Sequence, residues 1–211
     1  MRPSRYALLF LTALYALTWC SAARAVSLEL VPASHTALIG TAAPVDLLIA
    51  GLGEATPPAL ATFDLTVLFD PTRLRLPMTD ANGDGVIDSV HMDPTPQLDV
   101  RGLGGNIRAA GLTGPGTLHL FELSLDRPDD LTTRQAGRFA LATLTFETLA
   151  VGTSPLSLNI HALGDAEGNP LAATVSGAAV TVTPEPGTWL LLASGSLGLL
   201  GYRWRRRQRG T

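Results

Sequence analysis

The chain of 211 residues contains a single cysteine, Cys20, and that cysteine lies in an apolar stretch near the N-terminus. One cysteine cannot form an intramolecular disulfide. If the N-terminal stretch is removed, the mature protein has no thiol nucleophile and no cysteine ligand for a metal. An oxidising compartment then poses no folding problem for it.

Aromatic and basic residues are also scarce in the central region, residues 26–183. All three Trp and all three Tyr lie outside it, so it lacks the usual stacking platform for sugar rings. The chain has no lysine, and eight of its fifteen arginines lie in the termini. Seven Arg against seventeen of the eighteen acidic residues give the region a net charge of 7 − 17 = −10, compared with −3 for the whole chain. Such a surface repels nucleic acid and suits cations or basic partners.

Motifs of common enzymes are also missing from the sequence. It contains no G-x-S-x-G, no Walker A sequence and no dinucleotide fingerprint. The histidines do not form an H-x-x-x-H or H-E-x-x-H pair, so we expect no zinc centre. We therefore predict that the protein is not an enzyme, and we rank a polysaccharide hydrolase below any binding function. The histidines are His35, His91, His119 and His161.

The N-terminus has the order of a secretory signal peptide. Arg2 and Arg5 precede an apolar stretch that ends at Trp19, and Ala23-Arg24-Ala25 offers an A-x-A cleavage site. We predict a signal helix in residues 1–25 and a mature chain that starts at residue 26. Lipidation of Cys20 is disfavoured because a bulky residue precedes it.

The C-terminal segment, residues 184–211, combines three features in a fixed order. It begins with Pro-Glu-Pro, continues with an uncharged run from Thr188 to Tyr202, and ends with an arginine cluster. Counted to Trp204, the run has about 17 residues, near the lower limit for a helix that spans a bilayer. By the positive-inside rule the arginines stay in the cytoplasm and the preceding domain lies outside. We therefore predict a single transmembrane helix.

These three features resemble the PEP-CTERM sorting signal of bacterial envelope proteins. In that family an exosortase, a membrane transpeptidase, is thought to cleave near the Pro-Glu-Pro, and exopolysaccharide production often accompanies it. The resemblance implies an exported protein that is anchored in the inner membrane before processing and then reaches the cell surface or extracellular matrix. The sorting residues are Pro184, Glu185, Pro186, Arg203, Arg205, Arg206 and Arg207.

Alternating apolar residues predict strands at several places in residues 26–183. Phe63–Phe69 alternates with its odd-numbered residues on one face, and Leu118–Leu125 places Phe121, Leu123 and Leu125 together on one face. Residues 139–147 alternate with Ala140, Ala142, Leu144 and Phe146 on one face. No stretch shows a helical apolar period beyond one turn. We predict an all-β sandwich or barrel of about seven to nine strands without helices.

Several of these segments resemble the cohesin family in their order along the chain. They are residues 63–74, residues 141–158, residues 165–171 and residues 180–182. The resemblance implies a jelly-roll β-sandwich over residues 26–183. Because cohesins bind dockerins and are related to carbohydrate-binding modules, it also implies a non-enzymatic binding or scaffold domain. The partner is a protein or, alternatively, the exopolysaccharide matrix. Residues 80–116 depart from the family pattern, which leaves dockerin binding open.

Residues 80–88, with the sequence DANGDGVID, match an EF-hand-type calcium loop at positions 1, 3, 5, 6 and 9. Oxygen ligands at alternate positions let a tight loop wrap a hard cation, and Ile87 would tether the loop to the core. His91 stands where a bidentate Glu is expected, so Asp93 is the substitute. We expect a structural Ca²⁺, with a plain polar turn as the alternative. The proposed ligands are Asp80, Asn82, Asp84, Val86 (through its carbonyl), Asp88 and Asp93.

Overall fold

A computed structural model of the chain describes residues 25–184, residue 187, residue 191 and residues 194–197. The predicted signal helix and most of the predicted membrane helix lie outside the described residues. Residues 187, 191 and 194–197 are helical. Among the described residues, no helix combines the length and the apolarity that crossing a membrane requires.

Strands dominate the described part of the chain, as the alternating pattern predicts. The strands are β1 (Val26–Pro32), β2 (Thr36–Leu38), β3 (Ala42–Ala50), β4 (Leu60–Leu68), β5 (Leu74–Arg75), β6 (Val90–Met92), β7 (Ile107–Gly114), β8 (Thr117–Leu123), β9 (Arg138–Thr148), β10 (Gly152–Asp165), β11 (Ala173–Ser176) and β12 (Ala178–Thr183). The count of twelve exceeds the predicted seven to nine, because β2, β5, β6 and β11 have only two to four residues each.

The strands form two six-stranded sheets that share one core. The first sheet has the order β11-β1-β3-β9-β5, with β6 also paired to β9, and the second has the order β2-β12-β10-β4-β8-β7. Leu47 and Ile49 from the first sheet lie in the same buried cluster as Phe63 and Leu65 from the second. The predicted inner face of β4 is therefore confirmed.

Two local irregularities explain where simple alternation fails. Where β9 pairs with β3, the register shifts between Leu47 and Leu48 of β3. As a result, two consecutive residues of β9, Leu141 and Ala142, are both buried. Gly177 lies between β11 and β12, which join different sheets. A Cβ atom at Gly177 would lie 2.6 Å from the Leu156 carbonyl oxygen, so the close passage requires glycine.

One short helix, α1 (Pro128–Arg134), corrects the prediction that the domain contains no helix. Its length of two turns is too short to give a clear apolar period, and Leu131 is its buried residue. Proline at the start and acidic residues in the first turn favour a helix there. After α1, the buried Gln135 bonds both the N–H and the C=O of Leu60, which fixes the helix to the start of β4.

Candidate functional site

The predicted calcium loop folds around its own side-chain oxygens. The Asp80 carboxylate accepts the N–H groups of Gly83 at 2.8 Å, Asp84 at 3.2 Å and Gly85 at 3.1 Å. Gly83 and Gly85 have φ values of 72° and 84°, a region that favours glycine. Asp84 Oδ1 accepts the Val86 N–H at 2.8 Å. The Asp80 and Asp84 carboxylates thus bind backbone amides of the loop itself.

Two backbone hydrogen bonds fasten this loop to β7, the edge strand of the second sheet. The Ala110 N–H donates to the Gly85 carbonyl at 3.0 Å, and the Ile87 N–H donates to the Ala110 carbonyl at 3.1 Å. The Ile87 side chain is buried in the core, which confirms its predicted tethering role. The loop is therefore a fixed part of the domain.

The candidate ligands do not all lie together. Asp80, Asn82, Asp84, Val86 and Asp88 belong to the loop, and the Asp88 carboxylate accepts the Ala81 N–H at 3.3 Å. Across the described residues, no group of three or more His, Cys, Asp or Glu side chains is arranged to hold a metal ion. The oxygens of the loop are instead directed at its amide groups.

Asp93, the proposed twelfth-position substitute, has a different set of bonds. It is buried, and its carboxylate accepts the N–H groups of Gln97 at 2.8 Å and Leu98 at 2.9 Å. Burial raises the pKa of Asp93, and these backbone bonds oppose the increase. These contacts assign Asp93 to the turn that follows it. His91 instead lines an open cleft of about 310 Å³ together with Asp84, Asp88 and Arg108.

Glu122 is a buried carboxylate that sequence reasoning missed. It is 0% exposed on β8, and its Oε1 accepts the Asn106 side-chain amide at 2.9 Å. Arg108 Nε lies 3.8 Å from the same oxygen, while Oε2 finds no hydrogen-bond partner among the described residues. Burial raises the pKa of Glu122 to about 7, with further increases from the Asp93 and Asp99 carboxylates. The sequence signal that could have identified Glu122 is that it shares one alternating face of β8 with Leu118 and Leu120.

Strand β8 turns its predicted apolar face outward. Leu118, Leu120 and Glu122 face inward and are buried, whereas Phe121 and Leu123 are partly exposed on the outer face. Leu125, two residues further along, is 61% exposed, and Ile107, which pairs directly with Leu123, is 52% exposed. Ile107, Phe121, Leu123 and Leu125 are called the apolar patch below.

Polar side chains continue this outer face across the neighbouring strands. Asp64 on β4 contacts His119 on β8, with 2.8 Å between Oδ1 and Nε2. Thr66 on β4 contacts His161 on β10, with 2.7 Å between Oγ1 and Nε2. Asp64 pairs in register with Phe121, so the polar pairs adjoin the apolar patch. The outer face of the second sheet thus combines an apolar area with hydrogen-bonding groups.

Comparison with protein families places a PEP-CTERM protein-sorting motif at residues 182–207. Pro184 is the described residue of its Pro-Glu-Pro, while Glu185, Pro186 and the arginines Arg203, Arg205, Arg206 and Arg207 lie outside the described residues. The motif indicates an exported protein, and it marks the tail as a sorting signal. No curated protein shows significant sequence similarity to the chain.

Solved cohesin structures resemble the sandwich. The sixth cohesin of scaffoldin B from Acetivibrio cellulolyticus, in complex with a mutant Cel5 dockerin, matches with a TM-score of 0.53 and 21% identity over 75% of this chain and 99% of that one. A type I cohesin–dockerin complex from Clostridium thermocellum gives a TM-score of 0.55 and 10% identity over 74% and 99%.

A non-cellulosomal cohesin from Archaeoglobus fulgidus is also similar, with a TM-score of 0.51 and 13% identity over 75% of this chain and 91% of that one. Identities this low identify a shared fold. Neither the sorting motif nor the cohesin fold indicates an enzymatic role. The chain therefore carries a PEP-CTERM sorting motif after a domain with the cohesin fold.

Proposed function

We propose that this protein is an exported scaffold whose cohesin-like domain holds a protein partner on the outer face of its second sheet. The observation that carries the proposal is the orientation of β8, which buries Glu122 and exposes Phe121 and Leu123. Exposing apolar side chains while burying a carboxylate costs free energy on both faces of the strand. A partner that covers the apolar patch would recover about 25 cal/mol for each Å² of apolar surface removed from water.

The layout of this face suits a protein partner. Specific interfaces place aromatic and aliphatic residues at the centre and hydrogen-bonding groups around them. Here the apolar patch lies beside the Asp64–His119 and Thr66–His161 pairs. Two of the similar cohesins were solved as dockerin complexes. A module of the dockerin type is therefore our leading candidate for the partner.

Substitution of Leu123 tests the proposal. We expect Leu123→Asp to weaken partner binding at least tenfold, since it places a charge in the centre of the patch. The measurement is a pull-down from the native envelope fraction, followed by titration of the captured protein against the domain. Leu149→Asp, the same change at an exposed leucine of the opposite end, should bind normally. Equal binding by both variants would exclude this face.

Carbohydrate binding is the second candidate, and Phe121 is the observation that favours it. Its partly exposed ring lies beside Asp64 and His119 on the outer face, so one aromatic ring and two polar groups could contact a sugar. A glycan array separates the two functions. Binding to one polysaccharide class that Phe121→Ala abolishes would replace the protein-partner proposal.

For the tail, we propose anchorage of residues 188–204 in the inner membrane, followed by exosortase cleavage near Pro184. The domain boundaries 26–183 and 184–211 belong to this proposal, which places the mature protein at the cell surface or in the matrix. The matched sorting motif supports it. Changing Pro184, Glu185 and Pro186 to Ala should leave the chain unprocessed in a host that has an exosortase. A mature protein of the same size as that from the unaltered chain would contradict the proposed cleavage.

Structural calcium binding by residues 80–88 is also proposed. Four oxygen-bearing side chains alternate along the loop, and its backbone is already closed around Asp80. Calcium would replace amide groups as the partner of these oxygens and stabilise the attachment to β7. We expect millimolar Ca²⁺, the range of extracellular modules, to raise the melting temperature. Asp84→Ala should remove the shift and Asp129→Ala should keep it; no shift in the wild-type chain would refute the site.

A further inference from the structure

A second group of exposed apolar side chains lies where the chain leaves the sandwich. Leu38, Leu149 and Val151 are 38%, 40% and 50% exposed. All three surround the end of β12. Leu38 pairs in register with Thr183, and its carbonyl accepts the hydroxyl of Thr148, the residue before Leu149, at 2.7 Å. Gly152, the residue after Val151, pairs with Val182. Leu38, Leu149 and Val151 are called the exit cluster.

Along the sequence, the exit cluster is separated from the apolar run of the tail by only a few residues. Strand β12 ends at Thr183, and the uncharged run begins at Thr188. At no more than about 3.6 Å per residue, the chain between them spans roughly 18 Å or less. The apolar patch lies at the other end of the domain, because β10 starts beside Val182 and ends beside Leu60. A strand as long as β10 separates the two ends by roughly 40 Å.

Charge is balanced around the exit cluster although the domain carries −10. Arg75 forms an ion pair with Glu147, and Arg73 Nε lies 3.0 Å from Asp70 Oδ2. Arg73 also donates to the Val151 carbonyl, which places this pair beside the cluster. An apolar surface with paired charges approaches an anionic lipid surface without the repulsion that the rest of the domain would meet.

We propose that the exit cluster rests on lipid at the outer surface of the membrane while the chain is still anchored. The inference depends on the proposed anchorage of residues 188–204. Three partly exposed aliphatic side chains bind lipid weakly by themselves, but the anchor holds them at the surface and raises their effective concentration. The contact orients the domain so that β10 runs away from the membrane surface. The apolar patch then lies at the end of the domain that is far from the membrane.

Site-specific fluorescence in vesicles tests this orientation. The full chain carries Cys20→Ser and Val151→Cys, labelled with an environment-sensitive fluorophore, in vesicles of phosphatidylethanolamine and phosphatidylglycerol. The matched control is Leu125→Cys, an exposed leucine of the opposite end. We expect a blue-shifted emission at residue 151 and quenching by brominated acyl chains that is several-fold stronger than at residue 125. Adding Leu38→Gln and Leu149→Gln should reduce that quenching.

Each alternative outcome has a distinct meaning. A chain that fails to float with the vesicles would refute the anchorage and, with it, the orientation. If the chain floats while the label at residue 151 is quenched no more than the label at residue 125, only the orientation is wrong. A blue-shifted label at residue 151 that brominated lipid does not quench is covered by protein, either the chain's own tail or a second copy. That result would also overturn the contact with lipid.

Discussion

Replacing Glu122 with glutamine should stabilise the domain above pH 7 and have little effect near pH 4.5. The pKa of Glu122 rises from 4.5 to about 7 on folding. The folded state therefore holds a proton that the unfolded state releases between these values. The contribution of the protonated carboxyl group to the free energy of unfolding is fully present below pH 4.5. It is lost as the pH rises through 7. Glutamine cannot ionise, so the variant escapes this loss.

The size of the effect follows from the pKa shift. A difference of about 2.5 units at 1.36 kcal/mol per unit corresponds to roughly 3 kcal/mol. In a domain of this length, 1 kcal/mol shifts the melting temperature by about 2–4 °C, so the variant should melt about 6–12 °C higher at pH 8. The Asn106 amide keeps an acceptor, because glutamine retains Oε1.

Thermal melts followed by circular dichroism at pH 4.5, 6 and 8 provide the assay. Glu29→Gln, the same substitution at an exposed position of β1, reports the effect of removing one negative charge from an acidic domain. The difference in melting temperature between Glu122→Gln and that control should grow as the pH rises. An advantage that is constant with pH, or that appears only at pH 4.5, would refute the assignment of a buried, protonated carboxyl group at Glu122.

Three further substitutions probe packing and backbone geometry by urea unfolding. Phe146→Ala removes a fully buried ring that packs edge-to-face on Phe69 at 5.1 Å, and it should cost about 3–5 kcal/mol; a cost below 1 kcal/mol would contradict the packing. Gly177→Ala brings a Cβ against the Leu156 carbonyl and should cost about 2 kcal/mol, whereas Gly187→Ala, where nothing lies within 4 Å, should be neutral. Gln135→Ala leaves the Leu60 N–H and C=O without their side-chain partner and should cost about 2 kcal/mol; hydrogen exchange at Leu60 should accelerate, and unchanged exchange would argue against this bond.

Alternation predicted the all-β class and the inner face of β4, because Asp64 and Thr66 alternate with large apolar residues there. The same rule could not orient β8, where Leu118 and Leu120 compete with Phe121, Leu123 and Leu125 for the inner face. Tertiary context decides the orientation: Asn106 and Arg108 meet the inward-facing Glu122. A period-two pattern says which residues share a face, and it cannot say which face meets the core when both are apolar.

The site was predictable to the extent that its chemistry is local. The loop from Asp80 to Asp88 closes through contacts between residues at most seven positions apart, so its sequence contains the geometry. The bonds of Asp93 to the Gln97 and Leu98 amides were not predicted, because they depend on a turn for which the sequence has no recognisable motif. Glu122 required knowledge of a long-range neighbour, Arg108, which only the paired strands supply.

The attachment of the loop at Ala110 has a consequence for how copies of the protein behave when they are crowded on one surface. The N–H and the C=O of Ala110 point away from β8. The N–H donates to the Gly85 carbonyl, and the C=O accepts the Ile87 N–H. An exposed edge strand would otherwise offer these groups to the sheet of a neighbouring molecule. With the middle of β7 blocked, neighbouring domains cannot extend each other's sheets there. Copies brought together at high concentration therefore cannot pair through this part of the edge, and fibre-like growth from it is blocked.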